Sequence, residues 1–198
     1  METKRAQAIQ HLAGRKSPPI VEVFYEFNHL KTLYRQGWLR AGIPKEHCET
    51  VAEHSLGVAL LAFFLADSHF PHLDKWKLVR MGLLHDFGEI YAGDIVPGKM
   101  PAAEKHARER QSVERVFAKL PRGKDYLEVW EEFEAGRTAE ARFLREIDRL
   151  EMALQASVFE HEFPVDLSAF FDSADQALTT GELRDMLAAL RNLRPGRT

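Results

Sequence analysis

Apolar residues recur at spacings of three and four through almost the whole chain, and no segment alternates convincingly with the period of two that a half-buried strand needs. The expected fold class is all-α. A first helix is expected after Pro18-Pro19, with Val23, Phe27, Leu30 and Tyr34 on one side, and then a turn through Gly37 and Gly42-Ile43-Pro44. Thr50-Val-Ala-Glu53 has the pattern of a capping box and opens a helix reaching about Ser68. Asp74 caps a third helix ending near Gly88. Residues 91–101, with Pro97 and Pro101, cannot continue a helix and form a polar loop. Further helices are expected over about 101–119 and 125–135, from the Thr138 cap to about Phe159, and over about 175–193. The apolar stripe of the last (Leu183, Met186, Leu187, Leu190, Leu193) suits either the core or a subunit interface. This divides the chain into an N-terminal arm over 1–17, its first dozen residues loose, and one helical domain over 18–198.

Polar residues interrupt these stripes at informative places. Val51, His54, Val58, Leu61 and Leu65 share one helix face, so His54 points inward. Leu78, Met81, His85 and Glu89 continue another, and Asp148 stands four residues from both Leu144 and Met152. A buried carboxylate without a partner costs several kcal/mol. A single inward His is more often a hydrogen-bonded core residue than a ligand, and Asp148 alone could pair with Arg145 or Arg149. Four such coincidences on separate helical turns explain the pattern less well than one metal shared by His54, His85, Asp86 and Asp148.

Composition narrows the function. The formal charge of −3 argues against a global attraction to nucleic acid or to anionic membranes. The single cysteine, Cys48, excludes an intrachain disulfide and fits a reducing, cytoplasmic compartment. No secretory h-region opens the chain, and no stretch approaches 18 consecutive apolar residues, so neither export nor a membrane span is expected.

The order His54 … His85-Asp86 … Asp148 resembles the metal-binding signature of the HD-domain phosphohydrolases, an all-helical superfamily. Leu30-Lys31, Arg35, Gly37-Trp38, Val51-Ala-Glu-His54-Ser55, Leu84-His-Asp86, Glu89, Gly93-Asp94-Ile95 and Asp148-Arg-Leu-Glu-Met152 resemble its 5′-deoxynucleotidase branch over roughly residues 22–160. Bacterial members place the substrate-binding Arg and Trp side by side, whereas Arg35 and Trp38 are separated by two residues, a spacing closer to the eukaryotic-type members. The resemblance implies a single HD-domain helical bundle that binds one divalent cation through His54, His85, Asp86 and Asp148. It implies hydrolysis of (deoxy)ribonucleoside 5′-monophosphates to nucleoside and phosphate, commonly by a homodimer. A phosphodiesterase, a guanosine-tetraphosphate-type hydrolase and a metal-stabilised nucleotide-binding module without turnover are the alternatives.

The chemistry follows from the ligand set. Two neutral imidazoles and two carboxylates carry −2, which a divalent ion cancels. The ion lowers the pKa of its water towards roughly 7–9 and polarises a phosphoryl oxygen. Mn²⁺, Co²⁺, Fe²⁺, Mg²⁺ and Zn²⁺ all suit such N/O donors. The resemblance gives Glu89, beside the catalytic and ligating Asp86, a role in orienting water or moving a proton, and gives Arg35 the phosphate. Trp38 lines the pocket in this reading, its ring stacked on a nucleobase or plugging the core. Asp94 and Lys99 lie in the loop after the metal helix, where Asp94 would meet a sugar hydroxyl and Lys99 a phosphate.

Overall fold

The computed structural model describes residues 1–96 and 98–195, so Pro97, one of the two loop prolines, lies outside the described residues. Among the described residues there is no sheet, only isolated antiparallel bridges from Thr3 to Leu33 and from Tyr34 to Thr50. The all-α expectation holds. The helices are α1 (Pro19–Phe27), α2 (Gln36–Arg40), α3 (Val51–Ser68), α4 (Lys75–Leu84), α5 (Glu89–Ala92), α6 (Ala102–Phe117), α7 (Gly123–Ala135), α8 (Ala139–Glu162), α9 (Ser168–Ala177) and α10 (Gly181–Asn192). The three predicted caps are present. Thr50 and Glu53 form a reciprocal capping box on α3, Asp74 accepts from the amides of Trp76 and Lys77, and Thr138 accepts from Ala141.

Two apolar clusters organise the molecule. The larger joins Val58 and Ala62 of α3, Leu78 and Met81 of α4, Leu144, Ile147 and Leu150 of α8, and Leu183 and Leu187 of α10. The smaller joins Val23, Leu33, Val51, Ile90, Val113, Val116 and Trp130. Each fully buried aliphatic side chain contributes about 1.5–3 kcal/mol relative to exposure. His54 falls between Val51 of the smaller cluster and Val58 of the larger; His85 falls between Met81 and Ile90 in the same way. The polar site therefore occupies the seam between two dry cores.

Several expectations need correction. The first helix stops at Phe27 and passes into a 3-10 turn over Asn28–Lys31, so Leu30 and Tyr34 are buried from outside it. Gly37 lies inside α2 rather than in a turn. The third helix ends at Leu84, and residues 85–88 are a turn that leads into α5. The expected last helix is two, α9 and α10, and the stripe of α10 closes the core, with Leu183 and Leu187 buried. The first dozen residues are not loose. The Glu2 amide donates to Gln36 Oε1 at 3.0 Å, Gln36 Nε2 donates to the Glu2 carbonyl at 3.0 Å, and the Lys4 amide donates to the Thr32 carbonyl at 2.7 Å. The Met1 side chain fills the space beside Gly93 that a β-carbon there would take. Backbone pairing, which leaves no apolar pattern, docks this arm.

α3 is long and apolar enough by composition to cross a bilayer, with mean hydropathy 1.3. It carries Glu53, His54 and Asp67, and its inner face packs in the bundle as a core helix.

Candidate metal centre and its two clefts

The capping box fixes the start of α3 and places His54 on its inward face. His54 Nδ1 donates to Glu151 Oε2 at 2.6 Å, and His85 Nδ1 donates to the Gly82 carbonyl at 2.7 Å. With both Nδ1 atoms committed, each ring turns its Nε2 lone pair towards the other residues of the site. Neither Nε2 has a hydrogen-bond partner among the described residues, although both are buried. The chain holds the His85 turn from outside through Trp130 Nε1, which donates to the His85 carbonyl at 3.0 Å.

Two carboxylates face these nitrogens. Asp86 Oδ2 is 3.4 Å from His85 Nε2 and 3.8 Å from His54 Nε2, and Asp148 Oδ1 is 3.0 Å from His54 Nε2 without the alignment of a hydrogen bond. Donors bound to one ion at about 2.0–2.2 Å stand roughly 3–3.5 Å apart, so this set fits a divalent cation. The ligand atoms of His54, His85 and Asp86 lie within 4.8 Å of one another, and Asp148 joins them through His54. The structure brings His54, His85 and Asp86 together and sets Asp148 against His54 Nε2.

The protonation states match a cation-ready site. Burial acts most strongly on Asp86 and opposes its charge, yet His85, Arg35 and His54 hold it below the usual carboxylate range. Asp148 is likewise held low, burial being outweighed by His54 and His85. Burial and the Arg35 charge favour a neutral His54, whereas Asp148 and Glu151 push its pKa up to about 10, and a cation at Nε2 would take over that interaction by displacing the proton.

The second sphere was only partly legible. Glu151, one turn after Asp148 on α8, orients His54, and a β-carbon at Gly57 would stand 2.5 Å from Glu151 Oε1. A glycine at that position lets α8 approach closely enough for the carboxylate to reach the ring. Glu49 accepts from Trp38 Nε1 at 2.8 Å, and burial together with the Glu151 charge pushes its pKa up to about 7. Glu49, His54 and Glu151 also converge, but these partners already engage them, so they support the centre rather than form a second one.

A cleft of about 470 Å³ opens on one side of the metal cluster, lined by Arg35, Trp38, Glu89, Asp94, Met152 and Phe170 among others. The Arg35 amide donates to the Glu49 carbonyl at 2.9 Å, which fixes the start of α2. Arg35 Nη1 is 3.5 Å from Asp86 Oδ2 and 4.0 Å from Asp94 Oδ1. Asp94 follows Gly93, whose φ of 79° turns the chain, and accepts from the Gln36 amide at 2.5 Å. Glu89 is buried with Oε2 unpartnered among the described residues; burial, then Asp86 and Asp94, raise its pKa well above the usual value.

One substrate expectation changes, that for Lys99, and of the two readings of Trp38 the structure favours the core plug. Trp38 lines the cleft but is only 2% exposed, and its ring already stacks on Phe170 at 4.2 Å, so it serves as wall and core plug. Lys99 is exposed beyond the turn at Gly98 and lines neither cleft. Lys105 of α6 lines both. The second cleft, about 700 Å³, opens on His85, Asp86, Lys105, Phe133, Asp148 and Arg149 among others.

A helical bundle holding two His and two Asp at one seam defines an HD-type metal site, and the model of the HD domain family matches residues 27–186: the chain belongs to that family. It is 32% identical over 190 residues to the 5′-deoxynucleotidase HDDC2 of Bos taurus, covering 93% of this chain and 90% of that one. It is 30% identical to the 5′-deoxynucleotidase YGK1 of Saccharomyces cerevisiae, covering 76% and 72%. Among solved structures, a protein from Pyrococcus horikoshii superposes with a TM-score of 0.75 at 27% identity, covering 88% of this chain and 99% of that one. A predicted metal-dependent phosphohydrolase from Magnetospirillum magnetotacticum does so with a TM-score of 0.65 at 30% identity, covering 88% and 90%.

Proposed function

We propose that the protein is a divalent-metal-dependent phosphomonoesterase that hydrolyses nucleoside 5′-monophosphates, with deoxyribonucleotides as the preferred class, to nucleoside and phosphate. The observation that carries this reading is the pair of buried Nε2 atoms, without a hydrogen-bond partner among the described residues, that face Asp86 and Asp148, two carboxylates lining a cleft with an apolar wall and an arginine. The names of the relatives in cattle and yeast support the substrate class.

His54, His85, Asp86 and Asp148 would hold the cation. Once bound, it supplies Lewis acidity to a water and to a phosphoryl oxygen. The remaining work belongs to the chain. Arg35, poised by Asp86 and Asp94, binds phosphoryl oxygens. Glu89, which lines the cleft and has one buried carboxylate oxygen unpartnered among the described residues, moves the proton between water and the departing ester oxygen. Asp94 takes a sugar hydroxyl, and Met152 with Phe170 forms the apolar bed for the nucleoside.

A homodimer that works in the cytoplasm, without a nucleic-acid or membrane partner, completes the proposal. The lone buried Cys48 supports the compartment, and an outward apolar row on α3 supports self-association.

The test is a nucleotide panel, ribo against deoxyribo and 5′ against 3′, on metal-loaded protein. Phosphate release confined to 5′-monophosphates is expected. His85→Ala is expected to lose both metal and turnover, whereas Glu89→Ala keeps the metal, read by elemental analysis, and loses at least about 100-fold in kcat. Full activity of metal-free protein would overturn the reading.

A further inference from the structure

Four residues line both clefts: Asp86, Asp148, Lys105 and Arg149. The first two belong to the metal cluster. The other two are cations at the neck, from different helices, without a role so far. Lys105 is half-buried in the first turns of α6, its Nζ 3.2 Å from Glu109 Oε1. Arg149, on α8, has its Nε 3.9 Å from Asp148 Oδ2 and its side chain 40% exposed.

Charge balance gives them a task. Asp86, Glu89, Asp94 and Asp148 all line the first cleft, twice the negative charge of the ligand pair alone. A divalent cation together with Arg35 and Arg40, which also line this cleft, brings the set only to neutrality. A phosphate dianion entering such a site meets no net attraction, and two further positive charges at the neck supply it.

We propose that Lys105 and Arg149 form a two-sided clamp on the phosphoryl group, holding its non-bridging oxygens at the junction of the clefts while the nucleoside lies in the first. The pairing suits the chemistry, since lysine offers a mobile point charge and arginine a planar fork. The inference rests on the phosphomonoesterase reading and adds the residues that select the dianionic end of the substrate.

The experiment compares metal-loaded wild type with Lys105→Ala, Lys105→Arg and Arg149→Gln. Expected for Lys105→Ala and Arg149→Gln is a rise of about tenfold in KM and in the inhibition constant of inorganic phosphate, with inhibition by the uncharged nucleoside changed less than twofold and metal content unchanged. Lys105→Arg is expected to stay within about threefold of wild type. An unchanged phosphate constant, a parallel loss for nucleoside and phosphate, or loss of metal overturns the clamp. Arg149 adjoins a ligand, so if its variant fails to fold, Lys105→Ala decides. If wild type releases no phosphate from any 5′-nucleotide, the functional reading fails by itself. Calorimetric titration with inorganic phosphate then reads the clamp directly, and equal binding by wild type and Lys105→Ala overturns it.

Discussion

At the scale of single residues, the Nδ1 of His54 is the point from which the centre is controlled. Its hydrogen bond to Glu151 fixes the tautomer and adds basicity to the ligating nitrogen. Glu151→Gln keeps the shape and removes the charge. Its metal affinity is expected to fall about 10–100-fold, measured by competition with a chelator; an unchanged affinity would remove Glu151 from the centre. Gly57→Ala is expected to have the same effect through sterics alone, because the new methyl would occupy the place of the Glu151 carboxylate. His54, His85 and Asp148 were legible as candidate ligands because each broke an apolar stripe. Glu151 was not, since a glutamate one turn from an aspartate on a charged helix looks like an ordinary solvated residue until α3 is set against it.

At the scale of elements, the helix ends departed from the periodic pattern wherever a distant group intervened. α9 and α10 separate at 178–180 because Glu146 of α8 accepts from the amides of Thr179 and Thr180 and from the Thr179 hydroxyl. α4 stops before its pattern does because His85 Nδ1 turns to the Gly82 carbonyl and Trp130 takes the His85 carbonyl. Local propensity holds no record of either. Caps that are local in sequence, at Thr50, Asp74 and Thr138, were read correctly for the same reason. The N-terminal arm carries a functional consequence, since it grips Gln36, whose amide holds Asp94, and packs on Gly93. Deleting residues 1–6 is expected to raise KM for the nucleotide about three- to tenfold with a smaller change in kcat. Steady-state kinetics check this, and an unchanged KM would mean that the loop keeps its place unaided.

At the scale of the whole molecule, Leu56, Leu60 and Phe64 form an outward row at four-residue spacing on α3, exposed at 53%, 45% and 57%. Beside it runs a shallow groove lined by Leu61, Leu154, Val158, Leu190 and Leu193. Such a row packs readily against its own symmetry mate across a two-fold axis. Leu60→Glu is expected to convert a dimer to monomer in light scattering with the fold retained, and a wild type that is monomeric at micromolar concentration would end the homodimer proposal. Under the homodimer proposal α3 has two unlike faces, one lending His54 to the chemistry and one meeting a second subunit. The meeting of two clefts at one metal cluster reaches furthest into kinetics. Two clefts that share Asp86 and Asp148 predict a random order of product release: nucleoside and phosphate are each expected to inhibit competitively, and a noncompetitive pattern for either would refute it.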